Sequence, residues 1–361
     1  MSNLLLMSYD GPRWKFALPT VPAYNFDKQT LDDFLHGDAK SPLVLDINLA
    51  GGCSSECIYC FTESGRTERF YSIFDSPGVP KLNGKHLEDV IRQFGALGGK
   101  TIFLCSEGEP LLNPSRVMKL IDVADEKGIR VLLSTNVLHL TPNLVRQLHA
   151  KSVNMMLKLE SLDPEKNSQT LNPKISLKYG TLNGAQIPRP IIDSFQIYGT
   201  DSNMLGLSSI IIKPNLADVV DVREFAYKHG NIHFAKHLYI GGRAIVNRNK
   251  LALTDDERRG VNERIQRLDN ANGVVYPNGN VLADNYSFDV RRFLNNAVDS
   301  HGFPLRMASD VRGGVFLSSD IVKPSFGFGN LITVSMLDGT GKVDLSAYFS
   351  RIREIVYHYQ K

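Results

Sequence analysis

The chain has 361 residues, of which 42% are hydrophobic, a composition typical of globular proteins with a substantial core. Its net charge is +3, from 41 basic and 38 acidic residues, which is too balanced to indicate nucleic acid or an anionic membrane as a partner. No segment approaches the roughly 18 consecutive apolar residues that cross a bilayer. Because the amino terminus lacks the basic and long apolar regions of a signal peptide, the sequence predicts a cytoplasmic protein.

Strands and helices are predicted to alternate from residue 43 to residue 243. Apolar runs predict six strands, at 43–49, 101–105, 129–134, 153–159, 207–213 and 232–240. Helical spacing of apolar residues predicts helices at 86–97, 142–150 and 219–229, and another from residue 114 to the glycine at 128. The segment 166–200 is expected to be an inserted loop and helix. The alternation indicates an α/β fold built from parallel βαβ units with right-handed crossovers.

Both ends of the chain depart from this alternation. Residues 1–42 are predicted to form an irregular N-terminal extension with a short helix at 31–35. Residues 244–361 are predicted to form a C-terminal α+β extension packed on the preceding units rather than an independent domain. Within it, Thr254 and Glu257 are expected to cap a polar helix that ends at residue 268. The other elements predicted there are a strand at 314–317 and a helix at 345–359.

Three of the four cysteines, Cys53, Cys57 and Cys60, lie within eight residues as C-x3-C-x2-C. Clustered cysteines in a long chain indicate metal or redox chemistry rather than disulfides. Structural zinc takes four protein ligands; no second cysteine pair exists, so His86 or another histidine would have to complete a zinc site. In a cubane cluster, three thiolates leave one iron open for a small molecule. The motif follows the first predicted strand, where α/β folds place their ligands.

This motif, with an aromatic residue, Tyr59, before its third cysteine, resembles the signature of the radical SAM superfamily. The resemblance implies a partial (β/α)6 parallel barrel over residues 43–243. It also implies one [4Fe–4S] cluster, S-adenosylmethionine (SAM) bound to the open iron, and an electron donor such as flavodoxin or ferredoxin. Reductive cleavage of SAM would then yield a 5′-deoxyadenosyl radical that abstracts hydrogen from a substrate. The C-terminal extension loosely resembles SPASM or twitch extensions, but residues 244–361 contain no cysteine for an auxiliary cluster.

A second motif follows the second predicted strand and resembles the superfamily's GGEP motif, which holds the amino group of SAM. Its residues are Ser106, Glu107, Gly108, Glu109 and Pro110. Glu107 replaces the usual first glycine, and the resemblance favours Glu109 as the acidic residue that faces SAM. The alternative interpretation is a strand-to-helix turn punctuated by proline.

Three further positions resemble SAM contacts of the superfamily. Ser134 and Asn136 end the third predicted strand, near the expected ribose, although they also suit a simple polar turn. Lys158 and Glu160 share one face of the fourth strand, where the alternative is a buried ion pair. Lys213 ends the fifth strand and is expected either to meet the SAM carboxylate or to extend to solvent.

The remaining cysteine, Cys105, ends an apolar predicted strand on the same face as Phe103. A free cysteine usually behaves as a small buried hydrophobe, so we expect a packing role. The alternative is a thiol that returns a hydrogen atom to a substrate radical, as an epimerase requires.

The substrate is the least determined property. Because residues 1–42 are few for a leader-binding domain, a small molecule is favoured: a sugar, a nucleoside or an amino-acid-derived natural product. The reaction classes left open are epimerisation, dehydrogenation, dehydration and mutase chemistry. The alternatives are a maturase of a ribosomal peptide and a non-catalytic iron–sulfur or zinc protein. An RNA-modifying enzyme would call for a basic surface, which the near-neutral charge does not supply.

Overall fold

A computed structural model describes the chain over residues 4–9, 14–19, 23, 26, 29–30, 33–34, 40–49, 52–60, 82–106, 108–199, 204–238, 240, 242–273, 306–309, 315–316, 336 and 340–359. In these residues the strands are β1 (Leu4–Tyr9), β2 (Trp14–Pro19), β3 (Val44–Leu49), β4 (Thr101–Ser106), β5 (Arg130–Thr135), β6 (Asn154–Lys158), β7 (Tyr179–Leu182), β8 (Ala185–Pro188), β9 (Leu205–Ile211), β10 (Ile232–His237), β11 (Arg306–Ser309) and β12 (Val315–Phe316).

The helices, numbered in the same way, are α1 (Gly84–Ala96), α2 (Pro114–Glu126), α3 (Pro142–Ala150), α4 (Pro164–Leu171), α5 (Arg189–Tyr198), α6 (Asp218–Lys228), α7 (Arg243–Val246), α8 (Arg248–Leu251), α9 (Asp255–Ala271) and α10 (Leu345–Tyr359). Of these, α1, α2, α3, α6, α9 and α10 begin within two residues of their predicted positions. The predicted capping box of α9 is confirmed, since Thr254 and Glu257 each bond the other's backbone N–H. No helix in the described part of the chain is long and apolar enough to cross a membrane.

One large sheet organises the molecule. Its strand order is β10-β9-β6-β5-β4-β3-β11-β12, and every neighbouring pair is parallel except β11 and β12. The six strands from β10 to β3 curl into a half-barrel, which confirms the predicted partial (β/α)6 fold. Ile211 and Ala235 pack against Val219, Val261 and Ile265 of the helix layer, so alternate strand positions face the concave side.

The amino-terminal end of the half-barrel is closed by the segment before β3. The backbone N–H of Ala23 donates to Asn154 Oδ1 at 3.2 Å, and its carbonyl accepts from Thr101 Oγ1 at 2.5 Å. Phe26 and Phe34 are buried in the same core. The opposite, carboxyl-terminal edge of the strands is where parallel α/β folds place their ligands.

Two hairpins correct the sequence-based expectations. The prediction that residues 1–42 are irregular is wrong for residues 4–9 and 14–19, where β1 and β2 pair antiparallel in full register. The predicted loop within 166–200 contains the hairpin β7–β8, whose turn residues Asn183 and Gly184 have φ of 49° and 84°. Asn-Gly between short strands is a strong hairpin signal, because both residues tolerate positive φ. The short helix predicted at 31–35 lies mostly outside the described residues.

The C-terminal part of the chain contributes to the sheet as well as to the helix layer. Strand β11, which was not predicted, pairs parallel with β3. Ahead of α10, the amide of Gln93 in α1 donates to the carbonyl of Val343 at 2.7 Å, and its oxygen accepts from the N–H of Leu345 at 2.8 Å. Of the strand predicted at 314–317, the structure describes Val315–Phe316, which form β12. The boundaries 1–42, 43–243 and 244–361 stay predictions.

Candidate functional site

The loop of residues 52–60, here called the cysteine loop, carries all three clustered cysteines just after β3. Its backbone is bonded along one side to the end of α4. Glu56 N–H donates to Asn172 O at 2.9 Å, and Ile58 N–H donates to Thr170 O at 3.1 Å. The carbonyl of Ser54 accepts from Lys174 N–H at 2.8 Å. The loop is therefore held by backbone hydrogen bonds as a strand would be, although it has no regular structure.

The other side of the cysteine loop is bonded to the segment after β10. Arg243 N–H, at the start of α7, donates to the carbonyl of Cys60 at 2.8 Å. The side-chain amide of Asn247 donates to the carbonyl of Ile58 at 2.9 Å. The loop thus lies between elements that follow the fourth and the sixth strands of the half-barrel, which fixes it at the carboxyl edge of the sheet.

The three thiols of the loop are half-buried, and their burial and mutual repulsion affect the pKa values of Cys53 and Cys57. Burial raises the pKa of the Cys57 thiol to about 12, and repulsion from Cys60 adds to this effect. Burial also raises the pKa of Cys53. Thiolates are therefore unfavourable here until a cation lies between them, and a bound cation reverses this balance by stabilising the deprotonated sulfur.

The donor set fits an iron–sulfur cubane better than a single ion. Among the residues that the structure describes, no group of three or more His, Cys, Asp or Glu side chains is arranged around one metal-ion position. In a cubane each thiolate binds a different iron, so the sulfurs need not converge on one point. Cys53, Cys57 and Cys60 are the residues that would hold the cluster, and this assignment stays a prediction.

Glu109 is a buried carboxylate, only 3% exposed, in the loop that follows β4. Its Oε1 accepts from Leu111 N–H at 3.0 Å and from the Thr135 hydroxyl at 2.7 Å, and its Oε2 accepts from Asn136 N–H at 2.7 Å. Its own N–H donates to Gly52 O at 3.0 Å, beside the cysteine loop. Burial raises the pKa of Glu109 to about 7, against the opposing effect of the three hydrogen bonds.

Asn136 connects the end of β5 to the cysteine loop. Its side-chain nitrogen lies 3.1 Å from Ser55 Oγ and 3.7 Å from Cys53 Sγ. Its side-chain oxygen accepts from Leu138 N–H at 3.1 Å, so the polar turn that was the alternative interpretation is present. Ser134 is half-buried one position before Thr135, the residue that bonds Glu109.

Tyr59, Lys158 and Glu160 come together in a second buried network. Tyr59 OH donates to Glu160 Oε1 at 2.5 Å, and Lys158 Nζ lies 2.9 Å from the same oxygen. The ammonium of Lys158 also lies 5.0 Å from the centre of the Tyr59 ring. Glu160 is fully buried, so the buried ion pair that was the alternative for these residues exists here.

Two residues of these networks were missed in the sequence: Asn167 and Asn215. The side chain of Asn215 donates to Glu160 Oε2 at 3.1 Å and accepts from Ile212 N–H at 2.9 Å. Asn167 Oδ1 accepts from Glu160 N–H at 2.8 Å. The signal for Asn215 was its position in the turn that begins two residues after β9, since polar residues beyond a strand end can bond to neighbouring strand ends.

Among the described residues, the others predicted to contact SAM are not part of the hydrogen-bond networks of Glu109 and Glu160 described above. Lys213 is 51% exposed and pairs with Glu257 of α9 at 3.3 Å, so it extends away from the cysteine loop. Ser106 is the last residue of β4, and Gly108 and Pro110 flank the buried Glu109. Glu107 lies outside the described residues.

Cys105 is half-buried against the main core, and its sulfur lies 3.8 Å from the carbonyl oxygen of Ile47. This contact is at the long limit of a sulfur hydrogen bond. The placement at the edge of the core supports the expected packing role, which stays a prediction.

Comparison with known proteins identifies the domain that carries this site. Residues 47–179 match the Radical SAM superfamily. An AdoMet-dependent heme synthase of Methanosarcina barkeri is 26% identical over 195 residues, which are 54% of this chain and 50% of the relative. A 7-carboxy-7-deazaguanine synthase of Methanocaldococcus jannaschii is 32% identical over 88 residues, 24% of this chain and 36% of the relative. The chain thus spans half or less of these relatives.

Solved structures share the fold at lower sequence identity. SuiB of Streptococcus suis bound to S-adenosylmethionine superposes with a TM-score of 0.54 at 15% identity, over 87% of this chain and 68% of that one. Native anSMEcpe with bound AdoMet gives a TM-score of 0.51 at 14% identity, over 82% of this chain and 80% of that one. At such identities the likeness concerns the fold alone.

The pKa of Glu109 leads to a test of its burial. Its folded-state pKa of about 7 exceeds the unfolded value, so the folded state binds the proton more tightly and loses stability as pH rises between these values. Glu109→Gln cannot titrate. Between about pH 5 and pH 8, the unfolding free energy of wild type minus that of Glu109→Gln should fall by on the order of 2–3 kcal/mol. Urea unfolding of SAM-free protein measures this; parallel curves would show that Glu109 is not buried as described.

Proposed function

We propose, from the match of residues 47–179 to the Radical SAM superfamily, whose cofactors are a [4Fe–4S] cluster and SAM, that the chain is an enzyme that cleaves SAM reductively and abstracts hydrogen from a small-molecule substrate. The observation that carries the proposal is the position of the cysteine loop. The three thiols lie at the carboxyl edge of a parallel half-barrel, beside the buried carboxylate of Glu109. Ala23, from the segment before β3, packs at the opposite end of the strands.

The proposed roles divide between holding the cluster and orienting SAM. Cys53, Cys57 and Cys60 each ligate one iron and leave the fourth iron open. When bound, the cluster supplies the electron that cleaves SAM to methionine and a 5′-deoxyadenosyl radical. The chain's own task is to fix the cysteine loop, which the backbone contacts of Glu56 and Ile58 support.

Glu109 is proposed to receive the ammonium group of SAM. A carboxylate has about four acceptor positions, and three of them are taken by Leu111, Thr135 and Asn136. The remaining position suits a charged donor, and a neighbouring ammonium would lower the pKa of Glu109 so that it stays ionised. Asn136 positions Cys53 and Ser55 rather than acting on substrate.

A small molecule is the proposed substrate class. Both curated relatives are named for the synthesis of small molecules, a heme and a 7-carboxy-7-deazaguanine. Sugars, nucleosides and amino-acid-derived compounds are the candidates, with epimerisation, dehydrogenation, dehydration or rearrangement as the reaction. A cytoplasmic location follows from the same proposal, since the cluster needs a reducing compartment.

A ribosomal peptide is the second candidate, because two of the proteins with this fold have been solved with peptides. SuiB was crystallised with the precursor peptide SuiA, and anSMEcpe with the Cp18Cys peptide. Identities of 14% support a shared fold and leave the peptide as the alternative.

The cluster assignment is tested by iron content and SAM cleavage. Anaerobically reconstituted wild type should hold about four irons and release 5′-deoxyadenosine after reduction. Cys53→Ala, Cys57→Ala and Cys60→Ala should each lose the cluster and the cleavage. Cys105→Ala is the matched control, since it removes the remaining cysteine, and it should keep both. Loss of iron in Cys105→Ala, or about eight irons in wild type, would contradict the assignment.

The substrate class is tested by the same readout. A cell extract is separated into a small-molecule filtrate and a peptide fraction, and each is added to reduced enzyme with SAM. We expect the filtrate to accelerate 5′-deoxyadenosine release, because substrate binding commits the radical to hydrogen abstraction. Acceleration by the peptide fraction alone would favour the peptide maturase. Transfer of deuterium from a labelled candidate into 5′-deoxyadenosine would identify that candidate as the substrate.

A further inference from the structure

Of the five large exposed hydrophobic side chains among the described residues, all except Ile240 belong to segments that contact the cysteine loop. The five are Leu112, Ile175, Ile240, Ile245 and Val246. A Cβ on Gly52 would lie 3.3 Å from Leu112, and the residue before Ile175 bonds Ser54. The two most exposed, Ile245 at 62% and Val246 at 76%, lie on α7. Apolar groups gathered at one place on a surface mark an interaction site more often than scattered ones do.

The α7 surface is joined directly to the loop that would hold the cluster. Arg243, two residues before Ile245, donates its N–H to the Cys60 carbonyl at 2.8 Å. Asn247, one residue after Val246, donates to the Ile58 carbonyl at 2.9 Å. The exposed pair is thus held between two contacts to the cysteine loop.

The same surface is basic. Arg248 and Lys250 on α8 are exposed, and no ion pair joins either to an acidic side chain within the described residues. From residue 237 to residue 254 the sequence contains three arginine or lysine residues and no aspartate or glutamate. Apolar anchors beside unpaired cations favour a partner with an acidic rim.

The proposed reaction requires such a partner. The chain has four cysteines, and after three ligate the cluster only Cys105 is left, so no second cysteine-ligated cluster can relay electrons. The reducing electron must therefore enter the cluster from outside the chain. Because electron tunnelling weakens steeply with distance, the donor has to dock close to the cysteine loop.

The geometry points to α7 and α8, through Ile245, Val246, Arg248 and Lys250, as the docking site of a small acidic one-electron carrier protein. This inference rests on the proposed function. In the docked complex the carrier is oxidised by one electron and the cluster is reduced by one, and no bond is made or broken. Reduced flavodoxin is an acidic carrier of this class and serves as the probe.

The experiment compares two reductants in the holoenzyme. The variants are Ile245→Asp/Val246→Asp, which places like charge in the apolar patch, and Arg248→Glu/Lys250→Glu, which reverses the basic rim. With reduced flavodoxin, each should raise the KM for flavodoxin in 5′-deoxyadenosine formation by roughly tenfold or more. With dithionite, a small reductant that needs no docking site, both should match wild type. Raising the salt concentration should weaken the flavodoxin reaction of wild type.

Lys228→Glu is the charge control, because Lys228 is exposed on α6 and, among the described residues, its ion pair is with Glu224 of its own helix. It should leave the flavodoxin reaction unchanged. Iron content measured for every variant separates misfolding from docking, and Arg248→Gln/Lys250→Gln gives a milder test, with a smaller rise in KM. An unchanged KM in both patch variants overturns the docking site, as does a wild type that dithionite reduces and flavodoxin does not. Absence of cleavage with either reductant would instead overturn the proposed function.

Discussion

The buried carboxylate of Glu160 is the interaction on which the site depends. It accepts from Tyr59 of the cysteine loop, from the backbone N–H of Ile210 in β9, and from Asn215 beyond that strand. Lys158 supplies the opposite charge at 2.9 Å. A carboxylate removed from water is costly unless hydrogen bonds and a counter-charge replace its hydration, and here both are present. Removing one partner would leave the others unsatisfied, so the network acts as a unit.

Glu109 is a second buried carboxylate that connects strand ends to the cysteine loop, through Asn136. It gathers donors from the turn that follows β4 and from the end of β5, and one of these residues, Asn136, continues to Ser55 and Cys53. The two carboxylates therefore connect successive strand ends to the cysteine loop. They differ in charge balance: Glu160 is paired with Lys158, whereas the part of the chain that the structure describes gives Glu109 hydrogen bonds and no cation, which agrees with its raised pKa.

The sequence predicted the elements whose signal is local. The six strands of the half-barrel appear as apolar runs because strands covered on both faces need no polar alternation. The capping box of Thr254 and Glu257 could be predicted from the sequence because all its hydrogen bonds lie within four residues. The hairpin β7–β8 was missed although Asn183 and Gly184 signal its turn, because neither strand has an apolar run.

Side-chain networks between residues far apart in the sequence were harder to predict from the sequence. Tyr59 and Glu160 are 101 positions apart, and each was predicted to lie near SAM, but the hydrogen bond between them was not predicted. Asn215 was missed because asparagine after a strand is common in loops, and its bonds to Glu160 depend on the curvature of the chain there. Lys213, two residues earlier, faces α9 because Glu257 attracts it from outside the half-barrel.

The hydrogen bonds of Glu109 and Glu160 imply that buried carboxylates, rather than the cluster, hold the cysteine loop in place. Amide hydrogen exchange of Glu56 and Ile58 tests it most directly, because their N–H groups bond to the end of α4. In cluster-free wild type these amides should exchange slowly, and in cluster-free Glu160→Ala they should exchange much faster. If both exchange rapidly in cluster-free wild type and become protected only after the cluster is reconstituted, the loop is ordered by its metal and the account is wrong.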